Sequence, residues 1–357
     1  MPLAEPARAL SARLLARQPW SFLGPLLVVQ WLAVLGLAFS VHHNGWLYYQ
    51  GGDQSFYWTG SHLLSQWTLP LSAVGYAWSY LITPVSLVAG ANMLSGLPAV
   101  VIFNVLVLLP VALLCVYGIA ARIGGRVLGY WAAALWIAVP YAAIPLFDHR
   151  YHQKYVEIAL PQQLGLTILG DFPSMVFLLL TAYLLVRALD TGDWRDAVLA
   201  GLVGGFAIGI KPSNSLFFGA AVVALLAARR WRQSAVFVGT LVPGLFLLAL
   251  WKQRGLGELP AFASYSGGSG TVAALGPDLG ASLFTPFHKY LNLDWHQLHQ
   301  NIDGVREFFW AVRPLEWVPL AGLLAIGRRS WPIALLDRKS TRLNSSHIQK
   351  SRMPSSA

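Results

Sequence analysis

"GDFPSMVFLLLTAYLLVRAL", residues 170–189, holds one acid at its start, one base near its end, and an almost wholly apolar run between them. A stretch of about 20 such residues is what a helix needs to cross a bilayer, because no water is present inside to satisfy backbone polar groups. The flanking charges mark its two ends. Asp171 ahead of Pro173 is the pattern expected where an acid caps the free N–H groups of a helix start. Arg187, followed by Arg195, marks the opposite end as the basic one.

Similar apolar runs recur on both sides. They cover 21–41, 97–121, 128–147, 171–187, a shorter pair at 197–210 and 215–228, then 234–251 and 309–327. The chain has 357 residues, 56% hydrophobic and 11% charged, with a mean hydropathy of +0.54. A soluble protein of this size needs a far more polar surface, so that class is excluded. The expectation is an all-α polytopic transmembrane bundle of about eight complete spans and one cut short. Cys115, the sole cysteine, lies inside a span, which excludes a disulfide framework and a thiolate metal site.

Lys and Arg set the orientation. Arg8, Arg13 and Arg17 precede the first span, and Arg122 with Arg126, Arg187 with Arg195, Arg229 with Arg230 and Arg232, and Arg328 with Arg329 close or open later ones. On an alternating path every cluster falls on one side, which the positive-inside tendency makes cytoplasmic. The chain therefore reads as a multi-pass cell-membrane protein, with a cytoplasmic N-terminus over 1–20 and a transmembrane domain over 21–336. Residues 338–357, "RKSTRLNSSHIQKSRMPSSA", break off from the apolar "SWPIALL" and resemble a translated sequencing-adapter sequence. They are expected to be a non-native tail, with the natural protein continuing past Leu336. The tail holds five of the 25 Lys and Arg and no acid, so the formal charge of +10 falls to +5 without it. No nucleic-acid partner is expected.

The other face receives 42–96, 148–170 and 253–308, with the "KPSN" turn at 211–214 as a small fourth exposure. In the first, "SFYWTGSHLLSQWTLP" (55–70) and "GYAWSYLITPVSLVAG" (75–90) read as amphipathic helices lying at the membrane interface. Trp46, Tyr48, Tyr49, Trp58, Trp67 and Trp78 are then expected to form an aromatic belt.

Chemistry on that face rests on few charged residues. Asp53 follows two glycines in "GGDQ" and is either a solvated turn residue or a carboxylate whose partial burial among rings suits it to take a proton from an attacking hydroxyl. Asp171 is expected to cap its helix, a role compatible with pointing into a cleft at the outer mouth of the bundle. Lys211 sits opposite the side that basic residues favour, as a snorkelling side chain or as a point charge for a phosphate at membrane depth. Tyr57 is a substrate-binding candidate beside Asp53. In "DHRYHQKYVE" (148–157), Asp148, His149, His152 and Glu157 match no strong metal-ligand spacing, and a solvated loop is the plainer reading; His149 and Arg150 are kept as substrate-binding candidates. The tract 288–309, with His296 and His299, reads as an interfacial helix. The glycines at 201, 204, 205 and 209 are read as close-packing positions.

Taken in order, "GGDQ", "GDFPS" and "IGIKPSN" resemble the polytopic glycosyltransferases of the GT-C superfamily, close to the family-39 and dolichyl-phosphate-mannose protein mannosyltransferase-like enzymes, over residues 20–336. The resemblance implies transfer of a hexose or pentose, with inversion, from a polyprenyl-phosphate donor to a lipid, glycan or protein acceptor on the extracytoplasmic face. By position Asp53 matches the proposed general base, Asp171 the second acid, and Lys211 a basic residue beside the donor phosphate. Gln54 stands where many relatives carry a second acid, which weakens the case for a divalent metal held by an acidic pair. The competing class is a transporter or flippase, which tends to carry internal repeats and acids near the middle of its spans.

Overall fold

The computed structural model describes residues 18–40, 52–70, 72, 74–146, 155–211, 214–247 and 299. Among these the chain is helical, without strands. The main helices are α1 (Trp20–Ser40), α2 (Asp53–Ser65), α3 (Tyr76–Ala89), α4 (Met93–Gly124), α5 (Arg126–Ala142), α6 (Asp171–Thr191), α7 (Trp194–Ile210), α8 (Ser215–Ala227) and α9 (Trp231–Thr240).

Three of them are long and apolar enough to cross a membrane: α1 over Trp20–Phe39, α4 with 32 residues and α6 with 21. Helices α5 and α7 have 17 residues each. At 1.5 Å per residue that is about 25 Å, slightly less than a hydrocarbon core of about 30 Å. The expected runs from 97 to 228 coincide with α4 to α8 to within a few residues, the expected run 234–251 begins inside α9, and 309–327 lies outside the described residues.

Helix α4 widens into a π turn at Asn104–Leu108. Pro110 supplies the cause, since it has no N–H for the carbonyl four residues back and its ring crowds that carbonyl. The turn then serves as a docking point, where the Trp31 indole N–H of α1 donates to the Val105 carbonyl at 3.0 Å.

The hairpins need particular residues. Between α4 and α5 the chain turns at Gly125, φ +86°, and between α6 and α7 at Gly192, φ +73°, conformations that glycine adopts without a Cβ clash. Asp193 then accepts from the Arg195 N–H at 2.9 Å and caps α7. Helix α7 lies centrally, against α6, α9 and α3. Its glycines make this possible: a Cβ on Gly201 would meet Thr240, one on Gly204 the Phe218 ring, one on Gly205 the backbone of Gly244, and one on Gly209 the Ala77 methyl. Lipid tails are as apolar as the packed side chains, so close contact of this kind takes the place of a hydrophobic drive.

The arginines gather at one end of the bundle. Arg122 at the end of α4 pairs with Asp190 at the end of α6, and Arg187 with Asp196 at the start of α7, both at 3.2 Å. Arg230 donates to the Leu189 carbonyl and Gln233 to that of Gly192, which brings the end of α8 and the start of α9 to the same rim.

The expected aromatic belt is corrected in part. Trp58 and Trp78 are 2% and 0% exposed, with indole N–H groups donating to the Ala91 and Ile168 carbonyls at 3.0 and 2.6 Å. They are core residues of α2 and α3, which pack on each other while α3 also meets α4 and α7. Trp67 is exposed, whereas Trp46, Tyr48 and Tyr49 lie outside the described residues.

Candidate functional site

The site is assembled at the end of the bundle away from the arginine rim, from the starts of α2 and α6 and the end of α7. Gly52, φ +57°, turns the chain so that α2 begins at Asp53. Asp171 opens α6 after Gly170, which has an ordinary helical φ of −72°. Lys211 follows the last residue of α7, where its N–H still donates to the Ala207 carbonyl. Each charge complements its helix dipole, acids at N-termini and a cation at a C-terminus. That local fit helps to explain why charged residues are tolerated beside such apolar helices.

The side chains of Lys211 and Asp171 meet, the ammonium donating to Oδ1 of the carboxylate. The capping expectation for Asp171 is therefore corrected: its carboxylate accepts no bond from its own helix start and turns to Lys211 instead. The break between α7 and α8 is held beneath this pair by Asn214, whose amide donates at 2.8 Å to both Ser174 Oγ of α6 and the Ala207 carbonyl of α7.

Tyr57 links the pair to Asp53. It lies on α2 one turn beyond Asp53, is buried, and its hydroxyl sits so close over Gly170 that a Cβ there would come within 2.5 Å. Burial pushes its phenol well above the ordinary value, and the charges of Asp171 and Asp53 push it further. The phenol therefore keeps its proton and is available as a neutral O–H donor next to Gly170. Asp53 itself is exposed, so the expected partial burial of this acid is not what the described residues give it.

The segment that delivers Asp171 is fixed by three elements. Gln54, the neighbour of Asp53, accepts from the Ile168 N–H at 3.2 Å, Trp78 donates to the Ile168 carbonyl, and Asn104 donates to the Gly165 and Thr167 carbonyls at 3.0 and 3.1 Å. The side chain next to Asp53 thus holds the loop that leads into Asp171. Sequence reasoning treated Gln54 only as a missing acid and gave Asn104 and Asn214 no role. Asn104 did carry a signal, a lone amide in an apolar run six residues ahead of a proline.

Residues 159–251 match the family model described as dolichyl-phosphate-mannose-protein mannosyltransferase. Over that segment the chain is similar to a GT-C type mannosyltransferase family, and three of its described helices are long and apolar enough to cross a membrane. The matched segment contains Asp171, Lys211 and Asn214, that is, α6, the α7–α8 break and the contacts that join them. No curated protein and no solved structure matches the chain.

His149 and Arg150, with Asp148, His152 and Lys154, lie outside the described residues, as does His296; His299 is described and exposed. Glu157 falls in a π turn, Tyr155–Ala159. Among the described residues no group of three or more His, Cys, Asp or Glu converges as a metal site.

Proposed function

We propose that this mannosyltransferase-like protein moves a sugar from a polyprenyl-phosphate donor to an acceptor hydroxyl at the end of the bundle bearing Asp53, Asp171 and Lys211, on the extracytoplasmic face. The observation that carries the reading is the Lys211–Asp171 contact beside Tyr57, within a segment that matches the family model. A prenyl chain keeps the donor in the bilayer, so its phosphate is met where helices end. Lys211 has three N–H donors, and one bond to Asp171 leaves others for phosphate oxygens. The acceptor oxygen bonds to the anomeric carbon as the bond from that carbon to the phosphate oxygen breaks. The acceptor proton passes to the Asp53 carboxylate, and polyprenyl phosphate leaves with the bonding pair. Charge grows on the phosphate during this step, so a fixed cation stabilises the transition state more than the bound donor. Attack from the face opposite the phosphate inverts the anomeric centre. Asp171 keeps the Lys211 ammonium in place, and the neutral Tyr57 hydroxyl offers a donor to the sugar.

The test uses membranes containing the full chain and radiolabelled polyprenyl-phosphate mannose or another polyprenyl-phosphate sugar. Label transferred to an acceptor, and lost in Asp53→Asn, supports the reading. Label accumulating in sealed vesicles without covalent transfer overturns it and favours a transporter.

A further inference from the structure

The opposite rim carries a second feature, independent of glycosyl transfer. Among the described tryptophans five are exposed, and apart from Trp67 they fall on helices that start at the arginine end: Trp20 opens α1, Trp131 lies in the second turn of α5, Trp194 opens α7 and Trp231 opens α9, all between 43% and 65% exposed. The starts of α1 and α5 are joined by the Phe22 and Tyr130 rings, 4.7 Å apart. Those of α7 and α9 are joined by the Arg232 guanidinium, 5.8 Å from the Trp194 ring centroid. The tryptophans therefore track the ends of separate helices, as rings at a membrane–water boundary do.

Only two of the arginines at the same level are paired with described acids. Asp190 is taken by Arg122 and Asp196 by Arg187, while Asp193 accepts from a backbone N–H. Arg126, Arg195, Arg229 and Arg232 are exposed and form no ion pair with a described acid. A guanidinium presents a planar fork of donors that fits a phosphate oxygen pair.

We propose that this rim is a binding surface for anionic phospholipid headgroups. The tryptophan rings set the depth of the helix ends, and the four arginines outside ion pairs with described acids engage headgroup phosphates and the negative potential of an anionic leaflet. A protein partner would need one continuous patch, whereas these groups are spread over the ends of several helices, where a bilayer surface reaches all of them.

The experiment titrates the purified full chain, delipidated in detergent, with phosphatidylglycerol or phosphatidylcholine and counts bound lipids by native mass spectrometry. The expected result is a preference for phosphatidylglycerol that falls as salt rises. In the variant carrying Arg126→Gln, Arg195→Gln, Arg229→Gln and Arg232→Gln that affinity drops by at least about tenfold, with phosphatidylcholine binding unchanged. The matching set of Arg→Lys changes keeps the preference, which separates lost charge from lost fold. Equal binding of the two lipids by the unaltered chain, or a preference that survives all four Arg→Gln changes, overturns the proposal.

Discussion

Lys211 and Asp171, forty residues apart, close an ion pair across the mouth of the bundle, between the end of α7 and the start of α6. The two side chains are 37% and 48% exposed, so the pair contributes under about 1 kcal/mol to stability. Its expected weight in catalysis is larger, because a cation beside a leaving phosphate acts on charge that develops only in the transition state. Lys211→Met is predicted to leave the thermal midpoint nearly unchanged and to lower kcat/KM by about 10²–10³. Measuring both on one preparation decides the matter, since a parallel loss of stability and activity would mean that the pair holds the fold.

Asp53 starts α2 and has solvent on one side, which suits a group that must receive a proton from an incoming acceptor and release it between turnovers. Asp53→Asn keeps size and helix start but cannot take the proton. Turnover is predicted to fall about 10²–10⁴-fold with donor binding within about twofold of normal. Single-turnover kinetics with labelled donor, alongside equilibrium binding, separate the two quantities. An unimpaired rate removes Asp53 from the base role.

Hydropathy made the helices legible because the cost of unsatisfied backbone in lipid constrains long apolar runs to one solution, and α4 and α6 follow it closely. The rings were harder to read. Trp58 and Trp78 look like interfacial anchors by composition, yet their surroundings are protein, and only a fold tells an indole in a core from one in a headgroup layer. Asp171 shows the same limit on a smaller scale. An acid ahead of a proline reads as a cap from its neighbours in sequence, while the partner that decides its orientation lies forty residues away. The order of Asp53, Asp171 and Lys211 along the chain was visible, but the ties that align them, from Gln54, Trp78, Asn104 and Asn214, use residue types with no fixed spacing.

Gly75 gives a steric handle on Lys211. A Cβ at this position, just ahead of α3, would come within 2.6 Å of the Ile210 carbonyl oxygen and nearer still to that of Gly209, so the end of α7 would have to move. The φ of Gly75 is −63°, which alanine adopts freely, so Gly75→Ala tests space alone. Overpacking against backbone is predicted to cost about 1–3 kcal/mol and to reduce activity through Lys211. Gly219→Ala in α8, where nothing lies within 4 Å, serves as the control and is expected to be neutral. Thermal unfolding and kcat/KM of both variants check this.

Gly170 and Tyr57 are predicted to behave as a coupled pair. The phenol oxygen fills the space a Cβ on residue 170 needs, so Gly170→Ala should displace either the ring or the start of α6 and impair transfer strongly. Tyr57→Leu removes the obstruction together with the hydroxyl. The double variant is therefore expected to regain the stability that Gly170→Ala loses, while keeping the activity defect of Tyr57→Leu. A double-mutant cycle in melting temperature, with activity read in parallel, detects the coupling. Simple additivity in stability contradicts the close approach.

Asn104 carries the strongest stability prediction. Its side chain is fully buried within a span, its amide serves the carbonyls of Gly165 and Thr167, and its position is opened by the π turn ahead of Pro110. Asn104→Leu preserves volume but strands two carbonyls in an apolar interior, at a cost of about 1–3 kcal/mol each. The loss should not stop at stability, because the same loop is held by Gln54 and Trp78 and leads directly into Asp171. Freed at one of its three ties, it is expected to let Asp171 drift from Lys211 and to lower kcat in the fraction that remains folded. Asn104→Asp sharpens the test: the shape is kept, the donors are lost, and a buried carboxylate would face two carbonyl oxygens, so it should fare worse than leucine. Detergent-solubilised melting curves rank the three proteins, and a ranking with aspartate equal to asparagine would show that the two donated hydrogen bonds do not hold the loop.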